Sequence, residues 1–132
     1  MCIITPTKPN RILVIEDEPS IREVCRLALD DECFQIDTVE NGDAALNKLR
    51  VTEYDLYLID IRMPTMDGIE FYRQLKIELP RLLDKIVFTT GDLMNIDVID
   101  FLEETGRPLL PKPFSIEDLK NMVRRSLGIA SG

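Results

Sequence analysis

Apolar residues along this chain alternate between two spacings. Arg11-Ile12-Leu13-Val14-Ile15, Leu56-Tyr57-Leu58-Ile59, Lys85-Ile86-Val87-Phe88-Thr89-Thr90 and Pro108-Leu109-Leu110-Pro111 are short, nearly continuous apolar runs. Such runs suit strands covered on both faces. A further strand over Phe34 to Val39 sets Phe34, Ile36 and Thr38 against Gln35 and Asp37. Between these runs the spacing turns helical: Ile21, Val24, Cys25, Ala28 and Leu29; then Ala44, Ala45, Leu46 and Leu49; then Ile69, Tyr72, Leu75 and Leu79. Met94, Val98, Ile99, Phe101 and Leu102 mark a fourth helix, and Ile116, Leu119, Val123 and Leu127 a fifth.

Punctuation agrees with those limits. Pro19 suits a helix's first turn, Asn41-Gly42 breaks the second strand, and Pro80 ends the third helix. Gly106 reads as a C-cap and Ser115-Ile116-Glu117-Asp118 as a capping box. Strict alternation of strand and helix predicts an α/β domain with a parallel sheet between two helical layers. Residues 1–10, with Pro6 and Pro9, are expected to be a flexible lead-in. Residues 11–127 are expected to form one domain and 128–132 a short tail, with no internal repeat or linker and no output domain expected to follow.

Composition narrows the function. At 132 residues the chain is long enough for a real core, and its net charge of −8 argues against direct nucleic-acid binding. No apolar stretch reaches membrane-span length, and Met1-Cys2-Ile3-Ile4 is too short for a signal peptide. Cys2, Cys25 and Cys33 lack metal-ligand spacing and read as thiols in a reducing cytoplasm, with Cys25 in the core. The chain contains no histidine, which removes Ser-His and Cys-His catalysis and any internal phosphohistidine.

The chemistry gathers at strand ends. The first strand runs into Glu16-Asp17-Glu18, the third into Asp60 and then Pro64 and Gly68, the fourth into Thr90-Gly91, and the last into Lys112-Pro113. If the strands are parallel, their carboxyl ends share one edge, where open α/β sheets place their sites. Alone, Glu16-Asp17-Glu18 reads equally well as a solvated helix-start cluster, Thr90 as ordinary strand composition and Lys112 as a surface charge. Together they assemble an acidic group, a hydroxyl and an ammonium. Three carboxylates at one edge repel unless a cation sits among them, and all-oxygen ligation suits a hard divalent ion.

The constellation resembles the receiver domain of two-component response regulators over about residues 11 to 127. The resemblance implies a flavodoxin-like (βα)5 three-layer sandwich with strand order 2-1-3-4-5. Pro111 offers an independent check, because proline prefers an edge strand, which the last strand is in that order. The resemblance further implies Asp60 as phosphoacceptor, Thr90 and Lys112 as catalytic donors, and a cis Lys112-Pro113 bond that aims the lysine. It assigns Mg²⁺, with Mn²⁺ as a substitute, to Asp17, Asp60 and the backbone carbonyl of Arg62, with Glu16 bound directly or through water. The expected partner is a histidine kinase or phosphotransfer protein, without nucleic acid or membrane. A homodimer through the C-terminal helix-strand-helix face is an option, and the expected location is cytoplasmic.

Two positions depart from the family pattern. Leu109 stands where receivers often carry an aromatic residue. The chain ends without an output domain, as in a stand-alone receiver or one cut from a larger protein. Arg62 stands where haloacid-dehalogenase-like phosphatases need a second Asp, so the site should hold a phosphoryl group rather than turn it over. Arg62 could also pair with Asp92 and shield that group. The rival reading is a receiver-like interaction module that is never phosphorylated.

Overall fold

The computed structural model describes residues 9–63 and 65–129. The readings placed on residues 1–8, on Pro64 and on residues 130–132 lie outside them.

Among the described residues five strands and five α-helices alternate: β1 (Arg11–Ile15), α1 (Pro19–Asp30), β2 (Gln35–Val39), α2 (Gly42–Leu49), β3 (Leu56–Asp60), α3 (Gly68–Glu78), β4 (Ile86–Thr90), α4 (Ile96–Thr105), β5 (Leu109–Pro111) and α5 (Ile116–Leu127). All strand pairs are parallel, in the order β2-β1-β3-β4-β5. This is the expected flavodoxin-like arrangement, with Pro111 on an edge strand.

Each strand feeds both helical layers because successive side chains point to opposite faces. Leu13, Ile15, Tyr57, Ile59, Ile86 and Phe88 pack under α2, α3 and α4. Their neighbours Ile12, Val14, Leu56, Leu58 and Val87 pack under α1 and α5, against Cys25, Leu29, Leu119 and Val123. Burying one such side chain stabilises the fold by about 1.5–3 kcal/mol, so a register slip of one residue would be costly. The pairing Ile15 with Val39 and Ile59, Asp60 with Thr89, and Thr90 with Pro111 therefore brings the carboxyl ends of the strands to a common edge.

Helix ends are capped, at Ser115 and Gly106 by the residues expected to do so and at Asn41 by one read only as a strand breaker. Asn41 accepts from the Ala44 amide, Ser115 and Asp118 form the capping box, and Gly106 takes the left-handed conformation with φ of 64°. Other assignments need correction. Met94 precedes α4 and is 93% exposed, and Val24, Ile99 and Ile116 are also exposed. A 3-10 helix over Pro80–Lys85 follows α3, turning the chain so that Leu82 is buried. Cys25 is a buried free thiol as expected, whereas Cys33 is disulfide-bonded rather than a thiol.

Candidate functional site

The sheet edge places Glu16 and Asp17 just past β1, Asp60 at the end of β3, Thr90 at the end of β4 and Lys112 just past β5. Four strands thus carry the predicted side chains of the site to one edge, β1 supplying two of them. Glu16, Asp60 and Thr90 are buried, and one carboxylate oxygen from each of Glu16, Asp17 and Asp60 lies within 4.8 Å of the others.

Lys112 bridges the cluster. Its Nζ donates to Asp60 Oδ2 at 2.9 Å and lies 2.5 Å from Glu16 Oε1. The Lys112–Pro113 peptide bond is cis, as the resemblance implied. Burial, then the hydrogen bond with Asp60, pushes the Glu16 carboxyl up from the ordinary 4.5 to about 8, while Lys112 opposes the shift. The partnership with Glu16 and Asp60 holds the Lys112 ammonium above its usual value even though burial works against the charge.

Glu16 Oε2 is a buried oxygen with no hydrogen-bond partner. A buried carboxylate oxygen left so is costly. Three convergent carboxylates with a spare oxygen lone pair fit a hard divalent cation, for which oxygen is the preferred donor. The three carboxylates therefore fit such a cation.

The loop after Asp60 is shaped by glycine and by hydrogen bonds. A Cβ at Gly68 would lie 2.7 Å from the Asp60 carbonyl oxygen and 2.8 Å from Ile61 Cα, so only glycine lets α3 begin this close to the end of β3. Asp67 caps α3 by accepting from the Glu70 amide. The Arg62 amide donates to Asp60 Oδ1 at 3.1 Å, which leaves the Arg62 side chain to reach outward. There it meets Asp92, with Nε and Nη2 at 3.0 and 2.6 Å from Oδ2. This is the pairing foreseen from the sequence.

Thr90 Oγ1 accepts from the Asp92 amide at 3.0 Å, so its own proton remains available for donation. A Cβ at Gly91 would have the Lys112 side chain as its nearest neighbour, at 3.7 Å. The ion pair between Arg62 and Asp92 is thereby attached to Asp60 through one backbone amide and to Thr90 through the other.

Sequence reasoning missed Arg22. From the first turn of α1 its Nη1 donates to the carbonyls of Glu16 and Asp17, at 2.8 and 3.1 Å. The available signal was its place just after the helix start, since helical side chains lean back over the preceding turn. Beside Lys112 a groove of about 450 Å³ opens, lined by Ile21, Val24, Pro113 and Phe114. The exposed Val24 lies on this groove.

Comparison with known proteins follows the same lines. A family described as the response regulator receiver domain matches residues 12–124. The transcriptional regulatory protein ResD of Bacillus subtilis is 34% identical over 125 residues, covering 95% of this chain and 51% of that protein. The chain spans about half the length of that relative. The signal receiver domain of a histidine kinase from Syntrophus aciditrophicus superposes with a TM-score of 0.81 at 30% identity, covering 90% of each chain. The response regulator TrrA of Thermotoga maritima, solved in complex with Mg²⁺-BeF, gives 0.76 at 34% identity over 89% of this chain and 99% of that one.

Proposed function

The chain belongs to the response regulator receiver domain family, and from that membership we propose that Asp60 accepts a phosphoryl group from the phosphohistidine of a partner kinase or phosphotransfer protein. The single observation that carries this reading is the bridge of Lys112 across Glu16 and Asp60, with Asp17 beside them at one sheet edge.

In the proposed step a carboxylate oxygen of Asp60 attacks phosphorus in line. The P–N bond breaks, its electron pair stays on the partner's imidazole, and an aspartyl phosphate remains on this chain. Lys112 is already within hydrogen-bond reach of Asp60 and supplies a fixed ammonium to the transferring oxygens. Thr90 offers its free hydroxyl proton to the same oxygens. Glu16, Asp17, Asp60 and the Arg62 carbonyl would hold Mg²⁺, or Mn²⁺ in its place, which when bound neutralises charge developing on the phosphoryl group. The Mg²⁺-BeF complex of TrrA supports this assignment by analogy.

The chain has no histidine, so the donor must be another phosphohistidine-bearing segment. The apolar groove beside Lys112 suits a helix that carries this residue, with Ile21, Val24, Pro113 and Phe114 as its seat. Arg62 cannot act as a general acid or base at neutral pH, so autodephosphorylation is slow and the phosphorylated state lasts long enough to signal. The same reading includes action in the cytoplasm and a homodimer through α4, β5 and α5. On that face a groove of about 380 Å³ lies between β5 and α5, lined by Pro111, Asn121 and Met122. No helix among the described residues is long and apolar enough to cross a membrane.

Incubation with a small phosphodonor and Mg²⁺, read by intact mass, tests the reading. One added phosphoryl group, abolished by Asp60→Asn, is the expected result. An unmodified wild type, under conditions that label a control receiver, would favour the docking-module alternative.

A further inference from the structure

The β1 ladder ends with Ile15 opposite Val39, and the Glu16 amide still reaches the Val39 carbonyl at 3.0 Å. Beyond that point the chain leaves the sheet. Pro19 has no amide proton to offer, and Glu18 makes no side-chain cap at the start of α1. The carbonyls of Glu16 and Asp17 instead receive both of their hydrogen bonds from one atom, Arg22 Nη1. Arg22 is half-buried, and its own amide is fixed to the Glu18 carbonyl at 3.1 Å.

Holding two consecutive carbonyls fixes two peptide planes, and with them the directions in which the Glu16 and Asp17 side chains leave the backbone. We propose that Arg22 is a positioning residue for the divalent cation, clamping the β1–α1 turn so that the Glu16 and Asp17 carboxylates meet Asp60. The proposal rests on the metal assignment above. Arg22 contacts the carbonyls of the acidic pair, so its part is to orient ligands rather than to bind the cation.

Electrostatics and geometry then demand opposite results, which makes the proposal decidable. A guanidinium beside a dication site opposes binding, so on charge alone its removal should tighten Mg²⁺. Losing the clamp should loosen it, because residues that orient metal ligands typically contribute about 10- to 100-fold in affinity.

The test is calorimetric titration of Mg²⁺ into the full chain, for the wild type, Arg22→Met and Arg22→Lys, with metal-free thermal melts as a check on folding. Arg22→Met keeps much of the stem and loses the donors. We expect its Mg²⁺ affinity to fall about tenfold or more. Arg22→Lys keeps the charge and has donors to spare, but its shorter side chain stops short of the two carbonyls and should weaken binding in the same direction. If Arg22→Met fails to fold, Arg22→Lys decides the matter. Affinity equal to or tighter than wild type in the folded variants would overturn the clamp. If instead the wild type and Asp60→Asn took up Mg²⁺ alike, the metal assignment itself would fall, and the clamp with it.

Discussion

Glu16 makes the metal-free protein sensitive to pH in a direction opposite to that of most carboxylates. Its carboxyl titrates at about 8 in the folded chain against an ordinary 4.5, chiefly because of burial. Between those values the unfolded chain has lost the proton and the folded chain has kept it. Raising the pH therefore favours the unfolded state, and stability falls from about pH 5 to pH 8, then levels off. Below the unfolded value Glu16 contributes no slope. The full difference would amount to about 5 kcal/mol. Water reaches the mouth of the site beside Lys112, whose side chain is 15% exposed, so screening should leave about 2 kcal/mol, or a melting shift of roughly 6–10 °C. Glu16→Gln keeps the shape and removes the titration. Urea unfolding followed by circular dichroism in EDTA, at steps from pH 5 to 8.5, should show wild type and variant nearly equal at the acid end. The variant should be more stable by about 2 kcal/mol at the alkaline end. Parallel profiles across the range would refute the reasoning. Saturating Mg²⁺ should reverse the trend, since the ion must displace the proton that Glu16 holds.

Further tests use the same residues. Above the pH at which Glu16 ionises, Asp60→Asn removes one of three convergent carboxylates and leaves Glu16 to pair with Lys112. The metal-free protein should gain about 1 kcal/mol and lose most of its Mg²⁺ stabilisation in a thermal melt. Equal Mg²⁺ responses would mean that the carboxylates do not form one site. Arg62→Ala removes the contact with Asp92, and the phosphoryl lifetime, followed by loss of label, should shorten severalfold. An unchanged decay rate would end the idea that this pair shields the group. Gly68→Ala pushes a methyl group against the Asp60 carbonyl and should destabilise the chain by about 2–3 kcal/mol in urea. A cost near zero would show that the loop yields freely.

Much of the fold was legible because its signals are local. Nearly continuous apolar runs such as Leu56–Ile59, bounded by turn residues, read as strands buried on both sides, and Gly106 and Ser115 mark helix ends through chemistry that acts within a few residues. The parallel sheet follows from alternation, and once strands are parallel their carboxyl ends must share an edge. That is why Glu16, Asp17, Asp60, Thr90 and Lys112 could be gathered from the sequence as one candidate site. Even the pairing of Arg62 with Asp92 was visible, because both sit two positions past a strand-end residue of neighbouring strands.

Other features depended on distances that no local pattern encodes. Whether Val24 and Ile116 are buried depends on what packs against each helix, and helical spacing alone counted Ile116 as core although both are exposed. The 3-10 helix after Pro80 is decided by where Leu82 finds cover. Arg22 looked like any charge on an amphipathic helix until the backbone of β1 left two carbonyls within its reach. The high pKa of Glu16 likewise exists only in the folded chain: the residue type fixes an acid, but burial, Asp60 and Lys112 decide when it releases its proton. The sequence by itself determined which groups meet at the edge of the sheet. Tertiary structure decided their separations and their access to water, because both depend on how elements far apart in the chain pack together.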